Sequence, residues 1–380
     1  MSRLIYTAAL LIGAAFGTLP AFPAAAQDRA QQVAWCNNAN EAFSPDFQIG
    51  GCTALIQAGT VSSSGIAIAY SNRGIAYHAQ KDYPRAIADY SEAIRLNPQF
   101  ADAFFNRGIA YFAQKDYPRA IADYSEAIRI NPQYADAFFN RGFAYAEQKD
   151  YPRAIPDYSE AIRINPQDVD AFFNRGLAYA AQKDYPRAIA DYSEAIRINP
   201  QDADFFSGRG VAYTAQKDYP RAIADYREAI RLSPQFADAL FNRGNAYADQ
   251  KDYPRAIADY SEAIRINPQD ADAFLNRGIA YLNQKDYPRA IADYSETIRI
   301  NPQNARAFRN RAKVGLLQRR FQDAWSDYDA SLRLEPDSAR ALYGRGVAAR
   351  GLGRTSEGDQ DVARAVTLDP KVAEEFTEIQ

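Results

Sequence analysis

The sequence predicts an all-α fold, a solenoid of antiparallel helix pairs, and two observations carry that expectation. The stretch Ala101–Tyr134, ADAFFNRGIAYFAQKDYPRAIADYSEAIRINPQY, recurs almost unchanged every 34 residues along most of the 380-residue chain. A fixed period of this length marks stacked supersecondary units, because one unit cannot bury its apolar side alone and its neighbours can. Within each period, apolar residues also recur at helical spacing twice, on either side of a single break.

The first helix is expected from about Ala103 to Gln114, with Phe104, Gly108 and Tyr111 on one side and Phe105, Ile109 and Phe112 on another. Lys115-Asp116-Tyr117-Pro118 is the break. Asp116 is a candidate N-cap, and Pro118 falls in the first turn, where a missing N–H costs little. The second helix is expected to run to about Ile130, with Ala120, Tyr124, Ala127 and Ile130 on one stripe. Asn131-Pro132 ends it, because proline disfavours helix in the residue before it. Gly108, Ala120 and Ala127 allow close helix approach, and Phe104, Tyr111 and Tyr124 fill the space beside them.

Counted from Ala101, the residues Phe104, Gly108, Tyr111, Ala120, Tyr124, Ala127 and Pro132 stand at positions 4, 8, 11, 20, 24, 27 and 32. This pattern resembles the tetratricopeptide repeat (TPR) family, over Ala67 to about Val372. The resemblance implies a right-handed superhelix whose first helices line a concave groove. Repeats are expected to begin at Ala67, Ala101, Ala135, Val169, Ala203, Ala237, Ala271 and Ala305, giving eight over 67–338. A degenerate ninth spans 339–372, with Gly358 and Val362 in place of Ala and Tyr, and residues 373–380 form a C-terminal cap.

Residues 1–26 read as a signal peptide. Arg3 supplies the charged start, Leu4–Phe16 the short apolar run, and Ala24-Ala25-Ala26 the small residues before Gln27. Pro20, Pro23 and the brevity of the run argue against a membrane anchor, which needs about 20 apolar residues. Residues 27–66 form an N-terminal cap holding the chain's two cysteines. An even count in an exported chain favours a disulfide. Counting back one period from Ala67 puts Cys36 at position 4 and Cys52 at position 20, on facing helices, so Cys36–Cys52 is expected to staple the cap. Thr60–Gly65 reads as a polar linker or turn.

One polar pair recurs in all nine repeats. The Arg before the Gly position, Arg107 in the second repeat, accompanies an Asp on the second helix, Asp123. A guanidinium beside a packed glycine needs a partner, so an intra-repeat ion pair is expected. Pro156 breaks the pattern inside a second helix, where Ala122 and Ala190 are its counterparts, and is expected to kink it.

Function is expected on the groove. Position 6 gives the row Asn72, Asn106, Asn140, Asn174, Asn242, Asn276 and Asn310, broken at Gly208. Each amide carries donors and an acceptor and can bond an extended peptide backbone without reading its side chains; bonding within or between helices is the alternative. Position 5 gives an apolar strip, Phe105, Phe139, Phe173, Phe241 and Leu275. Asp102 and its counterparts at position 2 suit a helix start whatever the ligand. At the C-terminal end Arg306, Arg309, Lys313 and Arg340 replace acidic and apolar residues, so a carboxylate or acidic segment is expected to dock there, with a solvated basic face as the alternative. The set does not reproduce the two-Lys, two-Asn, Arg clamp of chaperone-binding TPR domains, and Gly344 stands where Asn is expected.

A net charge of −3 offers no basic field for nucleic acid. No zinc, P-loop, dinucleotide or nucleophile-elbow motif is present, and His78, the single histidine, reads as a surface residue. No catalytic, metal or cofactor-binding residue is assigned. The expected protein is a non-enzymatic interaction scaffold of the cell envelope, periplasmic or else secreted, that binds extended peptide segments of partner proteins. Its mature chain has no membrane span. A self-assembling structural solenoid stays open beside it, as does, more remotely, a regulatory part of an enzyme complex.

Overall fold

A computed structural model describes residues 24–38, 42–59 and 61–379. The expected leader falls outside them up to residue 23. The chain divides into two units, Met1–Pro200 and Gln201–Gln380, and every described element is helical.

The first unit holds α1 (Ala24–Asn37), α2 (Pro45–Ala58), α3 (Ser63–Ala79), α4 (Tyr83–Leu96), α5 (Ala101–Ala113), α6 (Tyr117–Ile130), α7 (Ala135–Glu147), α8 (Tyr151–Ile164), α9 (Val169–Ala181) and α10 (Tyr185–Ile198). They pack as consecutive antiparallel pairs, α1 with α2 through α9 with α10, and each pair stacks on the next. The second unit repeats the plan with α11 (Ala203–Ala215), α12 (Tyr219–Leu232), α13 (Ala237–Asp249), α14 (Tyr253–Ile266), α15 (Ala271–Asn283), α16 (Tyr287–Ile300), α17 (Ala305–Leu317), α18 (Phe321–Leu334), α19 (Ala339–Gly351) and α20 (Thr355–Leu368). A 3-10 helix, Val372–Ile379, closes it.

The junction inside each pair follows from local chemistry. The Asp116 side chain accepts from the Arg119 N–H and caps α6, with proline in its first turn. The preceding residue, Lys115, takes a left-handed conformation, φ 61°. That turn lets Asp116 N–H reach the Tyr111 carbonyl and Lys115 N–H the Phe112 carbonyl, which satisfies the open end of α5. The same left-handed lysine recurs in the first seven repeats. In the ninth repeat the position is Gly353, the residue that pays no steric penalty there.

Small residues set the distance between paired helices. A Cβ on Gly108 would stand 2.6 Å from the Tyr124 ring. Tyr124 is 0 % exposed, and its counterparts from Tyr90 to Tyr328 are equally buried. In the N-terminal cap, Cys36 and Cys52 are disulfide-bonded and tie α1 to α2. Both lie in a core with Leu55 and Ala69.

Two local expectations change. Ser63 to Gly65 belong to α3, because the Ser62 hydroxyl caps it by accepting from the Gly65 N–H; the polar run is a helix start, not a linker. Pro156 sits on the exposed side of α8, which keeps the same span relative to its repeat as α6 and is not interrupted.

Candidate functional site

The exposed faces are held by a repeated clamp. Arg107 donates from Nε and Nη2 to the two carboxylate oxygens of Asp123, at 2.7 and 2.8 Å. Its third nitrogen, Nη1, donates to Ser91 Oγ of the preceding repeat at 3.0 Å. Asp123 is 5 % exposed, so this is a largely desolvated, two-point pair, the geometry in which arginine binds carboxylate best. The bond to Asp123 pushes the Arg107 pKa above its ordinary value. All nine expected pairs form, from Arg73–Asp89 to Arg345–Asp361. One guanidinium therefore fixes the two helices of its own repeat, and in most repeats a helix of the previous one.

The amide row divides between the units. In the first, Asn72, Asn106 and Asn140 are buried and Asn174 is half-buried. Asn140 and Asn174 each donate to the carbonyl four residues back, Asp136 and Asp170, both at 2.8 Å. In the second, Asn242, Asn276 and Asn310 are half-buried, and Asn276 donates to Asn245 Oδ1 at 3.0 Å. One amide N–H of each of these three residues is thus engaged within the protein, and each keeps carbonyl-oxygen capacity for a ligand N–H. Asp102, on the neighbouring acidic row, accepts from the hydroxyl of Tyr134, the last residue of its own repeat, at 2.8 Å.

The apolar strip is not an open strip. Phe105 and Phe139 are 0 % and 3 % exposed, and Leu275 is 3 % exposed. Phe105 packs its ring on Tyr124 and Tyr134, at 5.8 and 4.9 Å, and Phe139 on Tyr158 at 5.7 Å. In these three repeats position 5 faces the interior of the pair, so these side chains form core. Phe173 and Phe241 are half-buried, and they pack on Tyr192 and Tyr260. His78 is also buried, not on the surface, with its ring 5.1 Å from that of Tyr83. Burial lowers its pKa, which favours the neutral imidazole.

The basic residues of the second unit converge. Arg306, Arg309, Asn310, Lys313 and Arg340 line a cavity of about 360 Å³ with Ile279 and Leu282. Arg309 is tied to Glu335, and Arg340 donates from Nε to Glu375 at 2.8 Å. Arg306 and Lys313 make no ion pair among the described residues. They are the cations left for an incoming carboxylate. The cavity floor includes Tyr328 and Phe376, which the sequence reading did not single out because both are core residues by type. Gly344 replaces the expected Asn for a steric reason: a Cβ there would lie 2.2 Å from the Tyr328 ring. The cavity thus combines an apolar wall, one amide, two unpaired cations, the paired Arg309 and Arg340, and the carboxylate of Glu375 that Arg340 holds.

Among the described residues, no group of three or more His, Cys, Asp or Glu is placed to hold a metal ion. No helix there is long and apolar enough to cross a membrane.

Comparisons with known proteins bear on this architecture. Family models described as "TPR repeat" match residues 74–115, 110–149, 210–251 and 244–285. Models described as "Tetratricopeptide repeat" match 139–203, 316–373 and 271–304. No curated protein sequence matches the chain. Among solved structures, the C-terminal part of a TPR repeat-containing protein from Cytophaga hutchinsonii is similar at 19 % identity. It covers 62 % of this chain and 97 % of its own, with a TM-score of 0.55. A tetratricopeptide repeat protein from Parabacteroides merdae is 20 % identical, covers 62 % of this chain and 93 % of its own, and has a TM-score of 0.49. YrrB, described as a TPR protein with an unusual peptide-binding site, is 24 % identical over 50 % of this chain and 95 % of its own, with a TM-score of 0.45. The family models together cover most of the sequence that the stacked helix pairs occupy, and the chain belongs to the tetratricopeptide repeat family.

Proposed function

We propose that this protein is an exported, non-enzymatic scaffold that holds extended peptide segments of partner proteins, with an acidic group of the segment seated in the basic cavity of the second unit. That the chain is a protein-interaction scaffold is the general role of its repeats. The finer reading rests on one observation: Arg306 and Lys313 line a cavity without an ion pair, beside Asn310 and the apolar Ile279 and Leu282. A carboxylate entering there meets two uncommitted cations and an amide, while aliphatic side chains receive the apolar wall. The half-buried amides Asn242 and Asn276 lie on the first helices of the two preceding repeats, and the acceptor left on Asn276 suits the N–H groups of an extended chain. Asn106, Asn140 and Asn174 play this part in the first unit, by their carbonyl oxygens.

Export is supported by the leader pattern of residues 1–26 together with the Cys36–Cys52 disulfide, since such bonds persist in oxidising compartments. The periplasm is the compartment we assign.

The test is capture of partners from an envelope extract by residues 27–380, identified by mass spectrometry. It is run beside Arg306→Glu/Lys313→Glu and beside Asn106→Ala/Asn140→Ala/Asn174→Ala. Reversing two cations that make no internal ion pair leaves the fold intact, which circular dichroism checks. The expected outcome is loss of the captured partner from the charge-reversed variant, and weakening as salt is raised. A partner held equally by all three proteins moves binding to another face and overturns the reading. No partner, with oligomers in light scattering, points to self-assembly instead.

A further inference from the structure

In each of the seven repeats from residue 67 to 304, a tyrosine at position 11 lies beneath the arginine at position 19. The guanidinium carbon is 4.4 Å from the ring centroid for Arg119 over Tyr111, and 4.5 Å for Arg289 over Tyr281. In three of these repeats the same ring also serves the clamp arginine, Arg73, Arg107 or Arg277. Arg277 stands between two rings, Phe274 at 5.5 Å and Tyr281 at 6.0 Å. Arg107 stands likewise between Phe104 at 5.6 Å and Tyr111 at 6.0 Å.

The eighth repeat lacks the second ring. Its position 11 is Gly315. Arg311 keeps the first ring, Phe308 at 5.9 Å, and keeps its bonds to Asp327 and to Ser295. Where the second ring belongs there is a cavity of about 270 Å³, lined by Arg311, Gly315, Ile291, Asp323 and Ser326 among others. The large residue next to it does not fill the space. Trp325 points its Nε1 to Glu357 of the following repeat, at 3.0 Å, and stacks under Arg354. A side chain at position 315 would start tightly, its Cβ 3.2 Å from Ala324 Cβ and 3.3 Å from the Ala324 backbone nitrogen.

We propose that this niche binds a single aromatic side chain, a tyrosine, presented by a partner protein, which completes the ring–guanidinium–ring arrangement on Arg311. The three repeats in which Arg73, Arg107 and Arg277 each stand between two rings supply the precedent for the occupant. The volume suffices, since a cavity of roughly 150 Å³ already holds a benzene molecule. Ile291 offers the ring an apolar wall, and the clamp holds Arg311 in place, so its guanidinium is preorganised. The charge pattern at the rim differs from the other repeats and suits a phenol. Position 19 is Asp323, paired with Arg320 at 2.6 Å, so an acidic acceptor and the exposed Ser326 hydroxyl take the place of the covering arginine. This site lies apart from the basic cavity and does not depend on the acidic ligand proposed there.

The probe is N-acetyl-L-tyrosinamide, titrated against the full mature chain and followed by protein NMR shifts. N-acetyl-L-leucinamide serves as the apolar control. Saturable binding is expected for the tyrosine derivative, on the order of 1 mM for so small a ligand, and about tenfold weaker for the leucine derivative, which has no ring face for a cation. Ser326→Trp, at an exposed rim position, is expected to close the niche and abolish the binding. Gly315→Tyr is expected to abolish it by placing the chain's own ring there; if it misfolds, Ser326→Trp decides. Arg306→Glu/Lys313→Glu is expected to leave it unchanged. No saturable binding, equal binding of both probes, or binding that survives Ser326→Trp overturns the proposal.

Discussion

Ser91 shows how one hydroxyl serves two helices. It donates to the Ile87 carbonyl of its own helix at 2.7 Å and accepts from Arg107 Nη1 of the next repeat. The serine therefore loses nothing by facing a neighbour, since its donor is already used. Position 25 carries arginine once among the central repeats, at Arg227. There Arg243, the next clamp residue, keeps its two bonds to Asp259, at 2.8 and 2.7 Å, and makes no third among the described residues. Arg227→Ser is expected to restore the missing bond and to stabilise the protein by about 0.5–1 kcal/mol, a gain trimmed slightly by the lower helix propensity of serine. A urea titration checks it: the midpoint rises with an unchanged slope. An unchanged midpoint would show that the third bond adds nothing to the clamp. The arginine–aspartate half of this clamp was legible from residue types alone, because both recur in every repeat and a buried guanidinium needs a partner. The serine half was not, because the partner sits in the previous repeat and serine is ordinary on a helix. The arginine–tyrosine stacks were missed for a similar reason. Positions 11 and 19 lie on different helices, and no helical spacing rule links them.

At the scale of the element, sequence reasoning placed the helix pairs well because capping and turn chemistry are local. Asp116, Pro118 and Asn131-Pro132 bound α6 where their backbone preferences require. What it misjudged depends on how two helices roll against each other. Phe105 was expected on an open face and is core, since neighbouring positions 4 and 5 both carry aromatics and type alone does not say which turns inward. In that repeat position 4 is the half-buried one, with Phe104 under Arg107, whereas at Phe172 and Leu240 it is position 4 that is buried. Pro156 gives a related lesson. It deprives the Pro152 carbonyl of its intrahelical donor, yet α8 keeps the same span as its equivalents, because the neighbouring helices hold the segment. The cost is therefore carried as lost stability without a break in the element. Pro156→Ala is expected to raise stability by about 1–3 kcal/mol. It should also slow amide exchange in α8 relative to α6. Equal exchange in the two variants would mean that the turn has relaxed around the proline at no cost.

At the scale of the whole molecule, the energetics are those of neighbours. Within each unit, helices touch others one or two places away in order, and the terminal 3-10 helix adds contacts to α17 and α19. Stability is then close to a sum of repeat and interface terms. Removing one repeat should remove one term of each kind and leave the rest. Deletion of residues 237–270 takes out α13 and α14 and joins Phe236 to Ala271, so α15 meets α12 with nearly the residues that α13 offered. The match is not complete. Arg277 now donates from Nη1 to Ser261 at 3.0 Å; in the shortened chain it faces Arg227 and inherits the poorer clamp of Arg243. The shortened protein is accordingly expected to fold, with unchanged helicity per residue by circular dichroism and a cooperative but lower thermal transition. Adding Arg227→Ser to the deletion should recover part of the loss, by about the same 0.5–1 kcal/mol as in the full chain. A broad, non-cooperative transition in the shortened chain would show that stability here is not carried by nearest neighbours. A sharp transition that Arg227→Ser leaves unmoved would keep the additive picture and remove the serine from the clamp.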